Sequence, residues 1–449
     1  MKHKDLLTSE DVEASIKEYS RLGVTGQGHK IFDIVVRGIT SSCEGIFQDG
    51  DLLRAMRSLK ADLILGDGYL MCPALVAEHL QVPFILISFT PLISYQAVTY
   101  RIPNPLSYIP EMSSGYTDKM TFFQRTWNVI LHFLLSTYLD RKIVEPFNAI
   151  KEKYNLSTET SMQGKLGKAE LRFFSTDFSL EFPRPLTPNI VLVGGLLTEP
   201  SKPLPQELSD FYDSAGEAGV VVVSMGTILS LRSDTTDVFA SALARLPQKV
   251  VWKLEKAPSN LGNNTMVMPW LPQNDLLGHP KTKALVYHGG LNGVFEAIYH
   301  GVPVVGIPMQ GDQFENILRI TVKGMAIKLD ITTITADTLY EAIQTICNKK
   351  SYKHNAKRLS DIHRDQPLHP LDRAVFWIEY VLTHGGASHL RPAGLDQPSY
   401  QYYLLDVLCF FVFVIFLLMF FLRIICRFLC ISCQTFKINK SRLKFEKEI

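Results

Sequence analysis

Cysteine is scarce in this chain, seven in 449 residues. No pair of them stands at zinc-finger spacing with histidines nearby, so no metal site is expected. Charge of one sign is lacking as well, because 46 Lys and Arg offset 44 Asp and Glu to leave a net +2. A nucleic-acid binder would show a basic face or basic clusters, which removes nucleic acid as a partner. There is no internal repeat and no low-complexity run. The first residues, Met1-Lys-His-Lys-Asp, lead directly into polar sequence with no apolar stretch that could start translocation.

Hydrophobic residues make up 46% of the chain, enough for two domain cores and a membrane segment. Every residue from Val407 to Leu422 is apolar, and Tyr402 to Leu405 extend the run across Asp406, which predicts a transmembrane helix over 402–422. Cys409, Cys426, Cys430 and Cys433 lie in or just after that run, while Cys43, Cys72 and Cys347 are spread through the body. Arg423, Arg427, Lys437, Lys440, Arg442, Lys444 and Lys447 dominate the tail, 423–449. The positive-inside rule then places the tail in the cytosol and the body in a lumen, a single-pass type I topology. A lumenal body needs a leader, so the chain is expected to lack an N-terminal piece.

The densest chemistry falls between Trp270 and Gln313. Ala284 to Tyr287 is a short apolar run, His288-Gly289-Gly290 a turn, and Leu291 to His300 has helical spacing. Strand, glycine turn and helix lay a phosphate on a helix N-terminus, where free backbone N–H groups and the helix dipole both face the anion. Each residue also has a plainer reading: Trp270 as core, His288 as a strand-end donor, Asp312 and Gln313 as a helix cap. What decides between them is shared placement. Val220–Val223, Lys249–Leu254, Thr265–Met268 and Pro303–Ile307 read as further buried strands, so these groups gather at the carboxyl edge of one parallel sheet, where such sheets bind ligands. Ser224-Met225-Gly226-Thr227 adds a second small-residue turn on that edge.

The elements W-L-P-Q (270–273), H-G-G-L-N-G-V-F-E-A (288–297) and G-D-Q (311–313), at these spacings, resemble the donor-binding signature of the membrane-bound UDP-glucuronosyltransferases, a branch of the GT-B glycosyltransferases. The likeness runs from about Asp62 to the C-terminus. It implies an α/β chain of GT-B class, two Rossmann-like domains facing a cleft, followed by the transmembrane helix. It implies that Trp270 stacks on uracil, that Gln273 helps hold base and ribose, and that Glu296 accepts from ribose hydroxyls. By the same resemblance His288, Gly290, Asn292 and Gly293 meet the diphosphate together with Ser224, Gly226 and Thr227, while Asp312 and Gln313 hold sugar hydroxyls. Three positions depart from the family pattern: Tyr287 replaces a Ser or Thr, Leu291 a polar residue, and Gln310 an aromatic or aliphatic one.

Residues 1–181 read as a partial acceptor-binding domain, 182–219 as a Pro- and Gly-rich linker, and 220–400 as the donor-binding domain. Asp67 ends the segment L-I-L-G-D at the cleft edge. A turn aspartate is the plainer role, but the resemblance makes it the catalytic aspartate that orients a histidine acting as general base. That histidine belongs to the N-terminal piece expected to be missing, so weak or absent activity is expected. Asp49-Gly-Asp51 reads as a helix cap rather than a metal site. Thr121–Leu139, with Phe122, Phe123, Trp127, Ile130, Leu134 and Tyr138, is a strongly apolar helix for which an acceptor pocket, a membrane surface and domain core all remain open. The implied reaction is inverting transfer of a sugar, glucuronic acid first among the candidates, from a UDP-sugar to a hydroxyl of a small lipophilic acceptor, with no resident cofactor and no metal. The implied location is the endoplasmic reticulum membrane. The alternative is a noncatalytic isoform that oligomerises with full-length relatives and modulates them; a dinucleotide oxidoreductase is disfavoured by the elements flanking the glycine turn.

Overall fold

A computed structural model describes residues 28–68, 70–156, 161–226 and 231–445. Among the described residues ten strands form two sheets, each wholly parallel. The first holds β1 (Ile64–Asp67), β2 (Phe84–Ser88), β3 (Arg172–Phe174) and β4 (Ile190–Leu192) in sequential order. The second holds β5 (Val220–Ser224), β6 (Lys249–Lys253), β7 (Thr265–Met268), β8 (Thr282–Tyr287), β9 (Val304–Gly306) and β10 (Ala326–Lys328), ordered β10-β9-β8-β5-β6-β7. Parallel neighbours need crossovers, and helices supply them on both faces. This is why β5, Val-Val-Val-Val-Ser, is buried along its whole length. The two faces of the second sheet carry separate cores, one around Phe295 and Leu276, the other around Phe239 and Trp252.

Strands 220–224, 249–253, 265–268 and 304–306 fall where the apolar runs put them, to within one residue at each end. Asp49 is an N-cap, its Oδ1 accepting from the Leu52 amide at 2.8 Å. Two expectations are corrected. The stretch 182–219 is not all linker: β4 lies inside it and completes the first sheet, and helix Gln206–Asp213 buries Leu208 and Tyr212 in the second domain's core. A three-residue strand flanked by prolines gives too little alternation to register in sequence. Nor do residues 220–400 stay with the second sheet. Helix Pro370–His384 packs Ala374 and Val381 onto Ile85, Phe173 and Val191 of the first. That return is pinned by polar contacts: His363 Nδ1 lies 2.6 Å from Asp177 Oδ2, and Arg373 Nη1 donates to the Leu192 carbonyl at 3.0 Å.

Cys43 and Cys72 form a disulfide that ties helix Gly28–Gln48 to helix Cys72–Leu80. The chain up to Pro392 is one compact unit and Ala393–Ile449 a second. In the second, Leu404 has φ +54, and the long helix starts only after it, at Leu405. It continues unbroken to Phe445, and its membrane-length portion is Leu405–Ser432, mean hydropathy 3.0. Tyr402 and Tyr403 of the expected span 402–422 thus precede the long helix, and Arg423 and Arg427 interrupt the apolar run without ending the helix.

Candidate functional site

The carboxyl edge of the second sheet opens into a cavity of about 560 Å³, within the range that holds a nucleotide-sized ligand. Ten of the twelve residues singled out for the donor line it. Ser224 ends β5 and Gly226 follows; Trp270 and Gln273 follow β7; His288 follows β8; Gln313 opens the helix after β9. Gly290, Asn292, Gly293 and Glu296 come from the turn and helix Leu291–Tyr299, whose first amides have no intrahelical partner. Thr227 lies outside the described residues. Asp312 lines a neighbouring cavity between the two sheets instead, with Glu111, Tyr116, Phe182 and Arg319.

Glycine is required at two points. Gly226 has φ +91, and a Cβ there would lie 2.9 Å from the His288 ring. At Gly293 a Cβ would meet the buried Tyr287 phenol at 2.4 Å. The two turns thus interlock through His288 and Tyr287. Tyr287, one of the departures, fills space that a smaller Ser or Thr would leave open, and burial raises its pKa far above the ordinary value.

The electrostatics follow from burial. His288 is pushed down to about 4, first by burial and then by the nearby Lys253 charge, so it is neutral at pH 7. Its Nδ1 is buried without a partner. Burial raises Glu296 above the usual carboxylate range, although Gln273 Nε2 donates to its Oε2 at 2.5 Å. Burial likewise raises Asp312, whose Oδ2 accepts from Asn316 Nδ2 at 2.8 Å. Asp312 makes no side-chain cap bond to the helix it precedes. Gln313 Oε1 accepts from the Met309 and Gln310 amides, which fixes its carboxamide. Trp270 is 67% exposed, too open for a core tryptophan, and Lys253 Nζ sits 4.6 Å from its ring centroid.

Lys253 was missed in the sequence. It is the sole Lys or Arg among the residues lining the cavity, alongside Glu199, Asp275 and Glu296. Its position at the end of β6, on the same carboxyl edge, was the available signal. Asp67 stands where expected, as the last residue of β1, but lines neither cavity. Across the interface Glu315 Oε1 accepts from the Ser113 amide at 2.7 Å, and Arg319 pairs with Glu181 at 3.0 Å.

Two parallel α/β sheets in one compact unit, with this cavity on the carboxyl edge of the second, have the architecture of the GT-B class. Solved structures agree on the fold: the glycosyltransferase VinC, in complex with dTDP, superposes with TM-score 0.56 at 17% identity over 81% of this chain and 82% of its own. An Os79 variant from O. sativa, in complex with UDP, gives TM-score 0.55 at 17% identity over 77% and 84%. Residues 4–440 match the family described as UDP-glucoronosyl and UDP-glucosyl transferase, and the chain belongs to that family. UDP-glucuronosyltransferase 2A2 of Homo sapiens is 43% identical over 417 residues, 92% of this chain and 77% of the relative. The Mus musculus 2A2 is 44% identical over 371 residues, 82% and 70%.

Proposed function

We propose that this chain uses UDP-glucuronic acid to glycosylate a hydroxyl of a small lipophilic acceptor, with inversion at the anomeric carbon, in the endoplasmic reticulum membrane with its body lumenal. The observation that carries the reading is that groups distant in sequence, from Ser224 to Gln313, share one cavity on one sheet edge. In this reading the exposed indole of Trp270 stacks on uracil. Glu296 and Gln273, already hydrogen-bonded to each other, take the ribose hydroxyls. The diphosphate lies on the amides that open helix Leu291–Tyr299, facing Ser224 and Gly226. Neutral His288 donates to it without adding a charge that would need neutralising at each turnover.

The acceptor oxygen attacks the anomeric carbon opposite UDP, the bond from that carbon to the phosphate oxygen breaks, and UDP departs with the electron pair. Lys253 and the helix N-terminus meet the charge that develops on it, with no resident cofactor or metal assigned a part. The acceptor's proton passes to a histidine base, the partner that the family resemblance gives Asp67; where no histidine takes that place the chain binds donor and transfers weakly or not at all. The sugar lies between Gln313 and Asp312, and the acceptor enters beside the apolar walls Leu92, Met112, Tyr116 and Phe182. As it stands that inter-sheet cavity holds about 30 Å³, room for roughly one water. Acceptor entry therefore requires the Pro110–Tyr116 segment to move aside.

A lumenal body is supported by the Cys43–Cys72 disulfide, which persists in oxidising compartments, and by exposed Asn155 and Asn263, each the first residue of a glycosylation sequon. The test is calorimetric titration of the full chain with UDP, followed by incubation with UDP-glucuronic acid and a panel of lipophilic phenols, read by mass spectrometry. Absence of UDP binding overturns the proposal. Binding with transfer from another UDP-sugar alone overturns the choice of glucuronic acid.

A further inference from the structure

Helix Phe122–Leu139 is amphipathic in the inverted sense. Two of its three buried residues are polar: Asn128 is 0% exposed and His132 8%, while the third, Leu139, joins the first domain's core. Asn128 Oδ1 accepts from the Glu111 amide at 2.7 Å, its Nδ2 donates to the Leu106 and Ile109 carbonyls, and His132 Nδ1 lies 2.8 Å from Glu111 Oε2. A capping box between Thr121 and Gln124 fixes where the helix begins. These bonds lock its rotation, and the face turned outward is apolar but for Thr126 and Thr137, whose hydroxyls donate to the Phe122 and Phe133 carbonyls of the helix itself. Phe123 is 81% exposed, Phe122 66%, Phe133 65%, Leu134 59% and Trp127 49%. With Val129, Ile130 and Tyr138 the stripe presents on the order of 800 Å² of apolar surface, taking about 200 Å² for a full ring. The largest patch on an ordinary soluble monomer is roughly 300–600 Å².

We propose that this face lies in the interfacial layer of a lipid bilayer. The proposal rests on the reading of Leu405–Ser432 as a membrane span. Pro392 ends the compact body, and about a dozen residues later the apolar helix begins, so the span keeps the body at a bilayer surface. The helix has no Asp or Glu in its 18 residues; its flanks carry Lys119, Arg141 and Lys142 together with Asp118 and Asp140, and Lys142 pairs with Asp33, so charged groups of both signs bracket an apolar stripe, as at the polar boundary of a bilayer. A second protein copy would cover the same surface, but nothing in the stripe offers the charge or hydrogen-bond complementarity that fixes a protein partner's register.

Tryptophan reports on the body alone, because Trp127, Trp252, Trp270 and Trp377 all precede the long helix. The full chain is reconstituted in phosphatidylcholine vesicles, with and without phospholipid brominated along the acyl chain, and Trp emission is recorded for wild type and Trp127→Phe. Brominated lipid should quench the wild type, and Trp127→Phe should remove at least half of that quenching. Phe123→Asp with Phe133→Asp should reduce the quenching of Trp127 at least twofold, with the far-UV circular dichroism unchanged. No quenching in a protein that resists alkaline extraction overturns this proposal alone, as does equal quenching in Trp127→Phe. Emission that shifts with protein concentration rather than with lipid assigns the face to a second copy and also overturns it. Release by alkaline extraction removes the membrane reading and this proposal with it.

Discussion

Replacing Trp270 by Ala separates folding from binding, because its side chain is two-thirds exposed and carries no core contact that the fold needs. Surface truncations of this kind change stability by about 0.5 kcal/mol or less. The loss of the Lys253 ammonium over the ring adds about 0.5–1 kcal/mol. Base-on-aromatic stacking contributes about 1–3 kcal/mol by alanine substitution, so UDP affinity should fall about 5- to 150-fold. Calorimetry with UDP gives the affinity and a thermal melt the stability. Trp270→Phe, which keeps a smaller ring, should fall between wild type and Trp270→Ala. Unchanged UDP affinity in Trp270→Ala would refute the stacking role. A melting point lowered by ten degrees or more would show that the indole is structural after all.

Three further outcomes are expected. Lys253→Met should weaken UDP about tenfold or more, the scale of a charge-assisted phosphate contact, and leave uridine within about twofold; equal weakening of both would make Lys253 a prop for Trp270 instead. His288 is held neutral, with a folded pKa of about 4 against 6.5 unfolded, so its contribution is present above pH 6.5 and is lost as pH falls from 6.5 towards 4. At about 1.4 kcal/mol per tenfold change in proton affinity the loss approaches about 3 kcal/mol. His300, also near 4 through burial and then Arg364, acts in the same window; His288→Asn should therefore flatten the melting-point decline between pH 6.5 and 4.5 in part, and an unaltered decline would contradict the assignment. Cys43→Ser opens a loop closed across 29 residues, which should cost about 3.5 kcal/mol by loop-closure entropy; a denaturant midpoint unchanged from wild type would show that the bridge does not form in solution.

Periodicity and glycine placement made most of the second sheet legible, because β5, β8 and β9 are apolar runs bounded by turns. Ten of the positions that the family resemblance singled out line one cavity, because their motifs all follow strands of this sheet. Lys253 escaped because lysine at a strand end is ordinary in composition and gains meaning only when the neighbouring Trp270 and His288 are placed beside it. The inverted helix Phe122–Leu139 also escaped. Its apolar content was plain, but whether that content faced core, pocket or exterior depends on Asn128 and His132 finding partners in the Leu106–Glu111 segment.

Local chemistry, then, is what the sequence by itself determined: where strands end, which turns need glycine, which helix is long and apolar enough to cross a membrane. Those properties depend on neighbours within a few residues. The tertiary structure alone decided that β4 belongs to the first sheet, that helix Pro370–His384 returns to it, that Cys43 meets Cys72, and that Asp312 turns towards the inter-sheet cavity rather than the donor cavity. Each of these is a contact between segments far apart along the chain. Only the packing of two sheets against shared helices brings such segments together, and no local pattern encodes which partner a side chain will meet.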